Sequence, residues 1–214
     1  GMVWVVGLNR TGTTSLAHAL CRLGYPNLHY PNASFMIRGD RSIFREWRGG
    51  SDIPVAAFYQ KLDEDYPASK FILSTRDQGS WLRSVISHFE RVPRDLDQTD
   101  SGLIRKKVYG HVRPTPEQFS AAWDRHHAAV RAYFRVRPND LIEMDITRGD
   151  GWARLCPFLG VPVPADPYPN ANRSDGNDSG GCPEAISRHN RMNAQLRQLA
   201  KQQRHSLMGQ LNRP

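Results

Sequence analysis

Cysteine is scarce. Cys21, Cys156 and Cys182 are the only three in 214 residues, too few and too scattered for a disulfide framework or a zinc site, which fits a reducing cytoplasm. No apolar run approaches the roughly 18 residues of a membrane span. No early segment joins a charged start to a long apolar centre and a small-residue cleavage site. These absences predict a cytoplasmic protein without stable membrane insertion. Gly1 ahead of Met2 reads as the residue left by tag cleavage and is set aside. Acidic charge is short as well: 21 Asp and Glu face 29 Lys and Arg, a formal net charge of +8. That excess suits an anionic partner, which includes nucleic acid, a membrane surface, a polyphosphorylated nucleotide or an acidic acceptor. A nucleic-acid module would show aromatics interleaved with basic residues on a sheet face. No such motif appears, so no nucleic-acid partner is expected.

What is present has the rhythm of an α/β fold. The length suits one domain with a single core. Three short β-rich apolar runs, Val3 to Val6, Phe71 to Thr75 and Leu141 to Met144, alternate with helical stretches. Continuous apolar runs of this kind belong to a parallel sheet buried on both faces. Thr13 to Leu23 carries Leu16, Ala19, Leu20 and Leu23 at helical spacing and stops at Gly24, a common C-terminal signal. Val55 to Tyr66, Trp81 to Phe89 and the long stretch opened by Thr115-Pro116-Glu117 repeat the pattern. The polar, basic segment Pro93 to Thr115 reads as an insertion or lid. Residues 162 to 183, rich in Pro, Gly, Asn and Asp, read as an irregular loop. The tail from Glu184 to Leu211 reads as a peripheral helix. The expected division is an α/β unit over 2–172, then loop and helix over 173–214 packed on it.

One further absence carries chemistry. Residues 7 to 16, GLNRTGTTSL, follow the first strand and keep the frame G-x-x-x-x-G-K-[ST] of a phosphate-binding loop, but Thr13 stands where the lysine belongs. A strand, a tight glycine turn and a helix starting at Thr13 gather free backbone N–H groups at a positive helix end, which suits phosphate. The hydroxyls of Thr11, Thr13, Thr14 and Ser15 add donors. Without the lysine that reaches the β and γ phosphates, the loop is poorly built for a triphosphate.

Arg10-Thr11-Gly12-Thr13-Thr14-Ser15 resembles the 5′-phosphosulfate loop of P-loop sulfotransferases, which use 3′-phosphoadenosine 5′-phosphosulfate (PAPS) and release adenosine 3′,5′-bisphosphate. The resemblance implies a second half-site, an arginine closing a central strand and a serine eight positions on. FILSTRDQGSWLRSV supplies Arg76 and Ser84 at that spacing. SDIPVAAFYQKLDEDYPASKFILSTRD and GWARLCPFLGVPVPADPYPNAN extend the likeness over much of residues 3 to 172. It implies a P-loop NTPase-like parallel sheet flanked by helices. It also implies metal-independent, in-line sulfuryl transfer to a hydroxyl or amine of a small-molecule or glycan acceptor. Arg10, Thr11, Gly12, Thr13, Thr14, Ser15, Arg76 and Ser84 would hold PAPS, with Arg10 also stabilising the leaving phosphate. Asn172 and Arg173 would lie near it.

The base falls, by the same likeness, at Ser51-Asp52-Ile53-Pro54, where cytosolic sulfotransferases carry a histidine. Asp52 takes that place, as glutamate does in carbohydrate sulfotransferases, and serves if burial raises its pKa. Asp before Pro is equally a helix cap, and both readings stand. His29, Glu46 and His88 are weaker candidates. Two rivals remain at this level: a small-molecule or nucleotide kinase, with Leu141 to Asp145 as its metal-binding strand, and a non-catalytic phosphate- or nucleic-acid-binding module. The acceptor and the oligomeric state are not encoded in any motif.

Overall fold

In the computed structural model, residues 1–170 are described. The chain builds β1 (Val3–Val5), α1 (Thr13–Arg22), β2 (Leu28–His29), α2 (Ala33–Arg38), β3 (Gly49–Ser51), α3 (Ile53–Ala56), α4 (Tyr59–Asp65), β4 (Lys70–Ser74), α5 (Gln78–Glu90), α6 (Asp100–Tyr109), α7 (Pro116–Phe134), β5 (Leu141–Met144) and α8 (Trp152–Leu159). All five strands are parallel, in the order β2-β3-β1-β4-β5. β1 sits between β3 and β4, with Trp4 opposite Gly50 and Phe71. The expected helical tail, Asn172 and Arg173 lie outside the described residues.

Alternation along the strands sorts the core. Trp4, Val6, Phe71 and Leu73 point to one face, where they pack with Val55, Leu62, Val130 and Phe134 of α3, α4 and α7. Val3, Val5 and Ile72 point to the other, against Leu16 and Leu20 of α1 and Leu155 of α8. This period-2 division of a two-sided sheet is what a parallel α/β fold requires. A third cluster joins Trp81, Phe89, Ile104, Tyr109, Phe119 and Trp123 of α5, α6 and α7.

Two strands escape the sequence reading. β2 has two residues, and β3 is Gly49-Gly50-Ser51, all buried. Glycine is poor in strands, yet a Cβ on Gly49 would lie 1.7 Å from the Val3 carbonyl oxygen, and its φ is +150°. The residue is glycine because β1 runs too close for anything larger. The stretch Val55 to Tyr66 is two helices, not one, parted at Ala57 and Phe58. Pro93 to Thr115 holds more structure than a polar lid: a 3-10 turn over Arg94–Gln98 and α6, with Ile104 and Tyr109 fully buried. Cys21 is disulfide-bonded, which the cysteine spacing did not suggest. Cys156 is free and buried. Among the described residues no helix is long and apolar enough to cross a membrane.

Candidate active site

The loop between β1 and α1 is pinned from three sides. A Cβ on Gly7 would fall 1.9 Å from Ser74 Oγ, so the loop lies directly against the end of β4. Thr11 Oγ1 donates to the Leu8 carbonyl and shares a hydrogen bond with Ser74 Oγ, each at 2.6 Å. Trp81 Nε1 donates to the Asn9 carbonyl at 2.9 Å, and Tyr109 Oη donates to Asn9 Oδ1. The loop then turns through Arg10 (φ +68°) and Gly12 (φ +86°) into α1. No side chain caps α1 and no acidic residue stands in its first turn. Its N–H groups and the roughly half unit of positive charge at the helix end are therefore not neutralised by the helix itself.

The carboxyl ends of the neighbouring strands converge on this loop, as expected where strand order reverses. Together they enclose a cavity of about 380 Å³. From the loop come Arg10, Gly12, Thr13 and Thr14; from the end of β2, His29; from the end of β3, Asp52; from the end of β4, Arg76. Arg76 Nη1 donates to the Arg10 carbonyl at 3.1 Å and its Nε to Ser80 Oγ at 3.2 Å. Arg10 Nε donates to Ser84 Oγ at 3.0 Å. The two sequence segments thus meet directly. Ser84, Thr11 and Ser15 do not line the cavity, and the last two are buried. The Thr11 hydroxyl is spent inside the protein, which leaves only its backbone N–H to meet an anion.

Asp52 sits at φ +81°, ψ −179°, a region nearly reserved for glycine and costing about 1–3 kcal/mol for other residues. Its Oδ1 accepts from its neighbour Ile53 N at 2.6 Å, and its Oδ2 accepts from Thr13 Oγ1 at 3.2 Å. It caps α3 as the sequence allows, and it also lines the cavity. His29 Nε2 lies 3.5 Å from Asp52 Oδ2 and 3.2 Å from Thr14 Oγ1, while Nδ1 is 3.0 Å from Ser51 Oγ. Burial holds the His29 pKa below its ordinary value against the opposing pull of Asp52, so its ring is neutral near pH 7. His88 also lines the cavity, one turn beyond Ser84 on α5, its pKa lowered by burial and then by the charge of Arg10. Glu46 is exposed and apart from the cavity. Three of the four non-glycine residues with positive φ among the described residues, Arg10, Tyr30 and Asp52, line this one cavity. Backbone strain gathers where chemistry needs geometry that packing alone would not choose.

The segment that the sequence reads as an insertion or lid supplies a wall through the 94–98 turn and α6, where Leu96, Ser101 and Arg105 complete the enclosure. Only tertiary packing brings those residues to the loop.

A family model described as a sulfotransferase domain matches residues 32–176. "Ava biosynthesis cluster protein M" of Aspergillus versicolor is 27% identical over 217 residues, covering 82% of each chain. A crystal structure of a sulfotransferase from Alicyclobacillus acidocaldarius superposes with a TM-score of 0.51 at 19% identity, covering 82% of this chain and 86% of that one. That structural likeness bears on the fold alone.

Proposed function

The chain belongs to the sulfotransferase domain family, and from that premise we propose that it transfers a sulfuryl group from PAPS to a hydroxyl of a small acceptor. PAPS supplies an activated sulfuryl group on a phosphate leaving group. The donor set fits such an anion: a helix N-terminus with no side-chain cap and no acidic residue in its first turn, with Arg10 and Arg76 lining the same cavity. Gly12, Thr13, Thr14 and Arg10 hold the 5′ end through backbone N–H groups and a guanidinium. Arg76 and Ser84 hold the 3′-phosphate. Arg10 also steadies the negative charge that grows on the leaving oxygen, a role worth about 3 kcal/mol in a water-poor site. Asp52 accepts the proton given up as the acceptor oxygen bonds to sulfur and the sulfur bond to the leaving phosphate oxygen breaks. His29, neutral and beside it, keeps the carboxylate oriented.

The observation that carries this reading is the meeting of Arg76 with Arg10, 66 positions apart, at the mouth of one cavity. The kinase alternative is weaker. Thr13 occupies the lysine position with its hydroxyl on Asp52, and Asp145, at the end of the strand proposed for metal, spends Oδ1 on Thr147 and Arg148. The name of the fungal relative ties that protein to a biosynthesis cluster, which supports a small-molecule acceptor over a glycan.

The test is thermal melting with adenosine 3′,5′-bisphosphate in EDTA, against ATP with magnesium. At a hundredfold excess over its Kd the bisphosphate should add about 2.7 kcal/mol of stability and raise Tm by several degrees. Stabilisation by ATP–magnesium alone would return the kinase reading.

A further inference from the structure

The cavity holds a second cationic centre that the PAPS loop does not use. Arg105, on α6, lines it, although the residue is only 3% exposed. Its guanidinium is held in place: Nη2 donates to the Leu96 carbonyl at 3.0 Å and to Asp97 Oδ1 at 3.2 Å, and Nε donates to the Ser101 carbonyl at 3.4 Å. Its Cζ lies 5.9 Å from the centre of the Phe89 ring. Nη1, shielded from water, has no hydrogen-bond partner. A buried cationic N–H left unpaired is costly, and native proteins rarely leave one without reason.

The local charge is unbalanced as well. Asp97 is shared, since Arg113 Nε binds its other oxygen at 2.8 Å, so one carboxylate faces two guanidinium groups. Arg113 spends its remaining nitrogens on the carbonyls of Phe89 and Val92, at 3.1 and 2.9 Å. Of these two arginines, Arg105 keeps an unused donor. Phe89, Val92 and Leu96 beside it give the cavity an apolar wall.

We propose that Arg105 is the specificity-determining residue of the acceptor subsite, and that it binds a carboxylate carried by the acceptor. The acceptor is then a hydroxy acid with an apolar body, its hydroxyl towards Asp52 and its carboxylate on Nη1 of Arg105. A planar guanidinium matches a carboxylate in shape and charge, and a second negative charge removes the imbalance around Asp97. This assignment rests on the sulfotransferase reading, but its experiment is separate.

Dissociation constants are measured by saturation-transfer NMR on protein saturated with adenosine 3′,5′-bisphosphate. The probes are isosteric pairs differing in charge: 4-hydroxyphenylacetate against tyrosol and against tyramine, and glucuronate against glucose. In the wild type the carboxylate member of at least one pair should bind about tenfold or more tightly than its neutral partner. Arg105→Gln should bring that ratio to about one with bisphosphate affinity unchanged, and Arg105→Lys should retain part of it. Arg105 also steadies the 94–98 turn, so Tm is recorded for each variant. The wild-type charge series decides the matter even if Arg105→Gln fails to fold. Equal binding across every pair, preference for neutral or cationic members, no binding by any probe, or a ratio unchanged in Arg105→Gln overturns the proposal. Failure of the bisphosphate itself to bind would count against the donor assignment instead, and the charge series is then read on the protein alone.

Discussion

Arg76 Nη1 reaches the carbonyl oxygen of Arg10 across 3.1 Å, so the guanidinium just beyond β4 is seated on the loop after β1. Removing it leaves the core intact, because Arg76 belongs to no apolar cluster. Arg76→Ala should weaken adenosine 3′,5′-bisphosphate binding by about ten- to a hundredfold, the worth of one or two charge-assisted hydrogen bonds, with Tm of the ligand-free protein little changed. Isothermal titration checks it. Unchanged affinity would remove Arg76 from the donor site.

One substitution separates the cap at Asp52 from its proposed role as the base. Asn caps a helix as well as Asp and keeps an oxygen for Ile53 N, but it cannot take up a proton at neutral pH. Asp52→Asn should therefore lose about a hundredfold or more in kcat while melting within a few degrees of the wild type. His29→Asn should cost less than about tenfold, since His29 acts through Asp52. If both variants keep full kcat, Asp52 is a cap and not the base.

Glycine beside the central strand is a steric requirement. Gly49→Ala would place its Cβ 1.7 Å from the Val3 carbonyl oxygen, forcing β1 and β3 apart at a cost of about 3 kcal/mol or more. Gly24→Ala, at φ +82° with nothing within 4 Å of the added carbon, should lose only about 1 kcal/mol. Urea denaturation of the two variants distinguishes crowding from backbone strain.

Acid should destabilise the fold before the carboxylates titrate. His126 Nε2 donates to the Val6 carbonyl over 2.7 Å, so Nε2 carries the proton. Burial, set against that hydrogen bond, lowers its pKa from 6.5 to about 4; burial lowers His29, His88 and His127 too. The unfolded chain takes up protons near pH 6.5 while the folded chain resists, so stability is full above that pH and falls as pH drops towards about 4. His126 contributes up to about 3 kcal/mol of that loss. Urea titrations at pH 7, 6 and 5 should show the slope, and His126→Gln, which still donates to Val6, should flatten it. A stability independent of pH over this range would contradict the partly buried, neutral ring.

Much of the architecture was written in local pattern. Val3 to Val6, Phe71 to Thr75 and Leu141 to Met144 announced the three strands of the sheet made of apolar residues, because burial on both faces demands continuous hydrophobic runs. β2 and β3 were silent: a two-residue strand has no period, and Gly-Gly-Ser is chosen by the closeness of β1, a fact of its neighbour and not of its own propensity. Around the candidate site, the sequence singled out the loop at 10–15, the pair Arg76 and Ser84, and a carboxylate at 52 as an alternative to a cap, and the fold brings Arg10, Arg76 and Asp52 to one cavity. The φ of Asp52, the contact of His29 with it, and the burial of the Thr11 hydroxyl were not legible in sequence.

Sequence by itself determined which chemical groups the cavity could hold, since the loop glycines, the arginines and the missing lysine act through their own structure wherever they stand. Tertiary structure alone decided which of them face one another, because a parallel sheet brings the ends of four strands to one edge regardless of how far apart they lie in the chain. Arg105 shows the difference: an unremarkable basic residue in a polar stretch becomes a buried cation with a spare donor only after α6 packs against Phe89 and Asp97 is divided between two guanidinium groups.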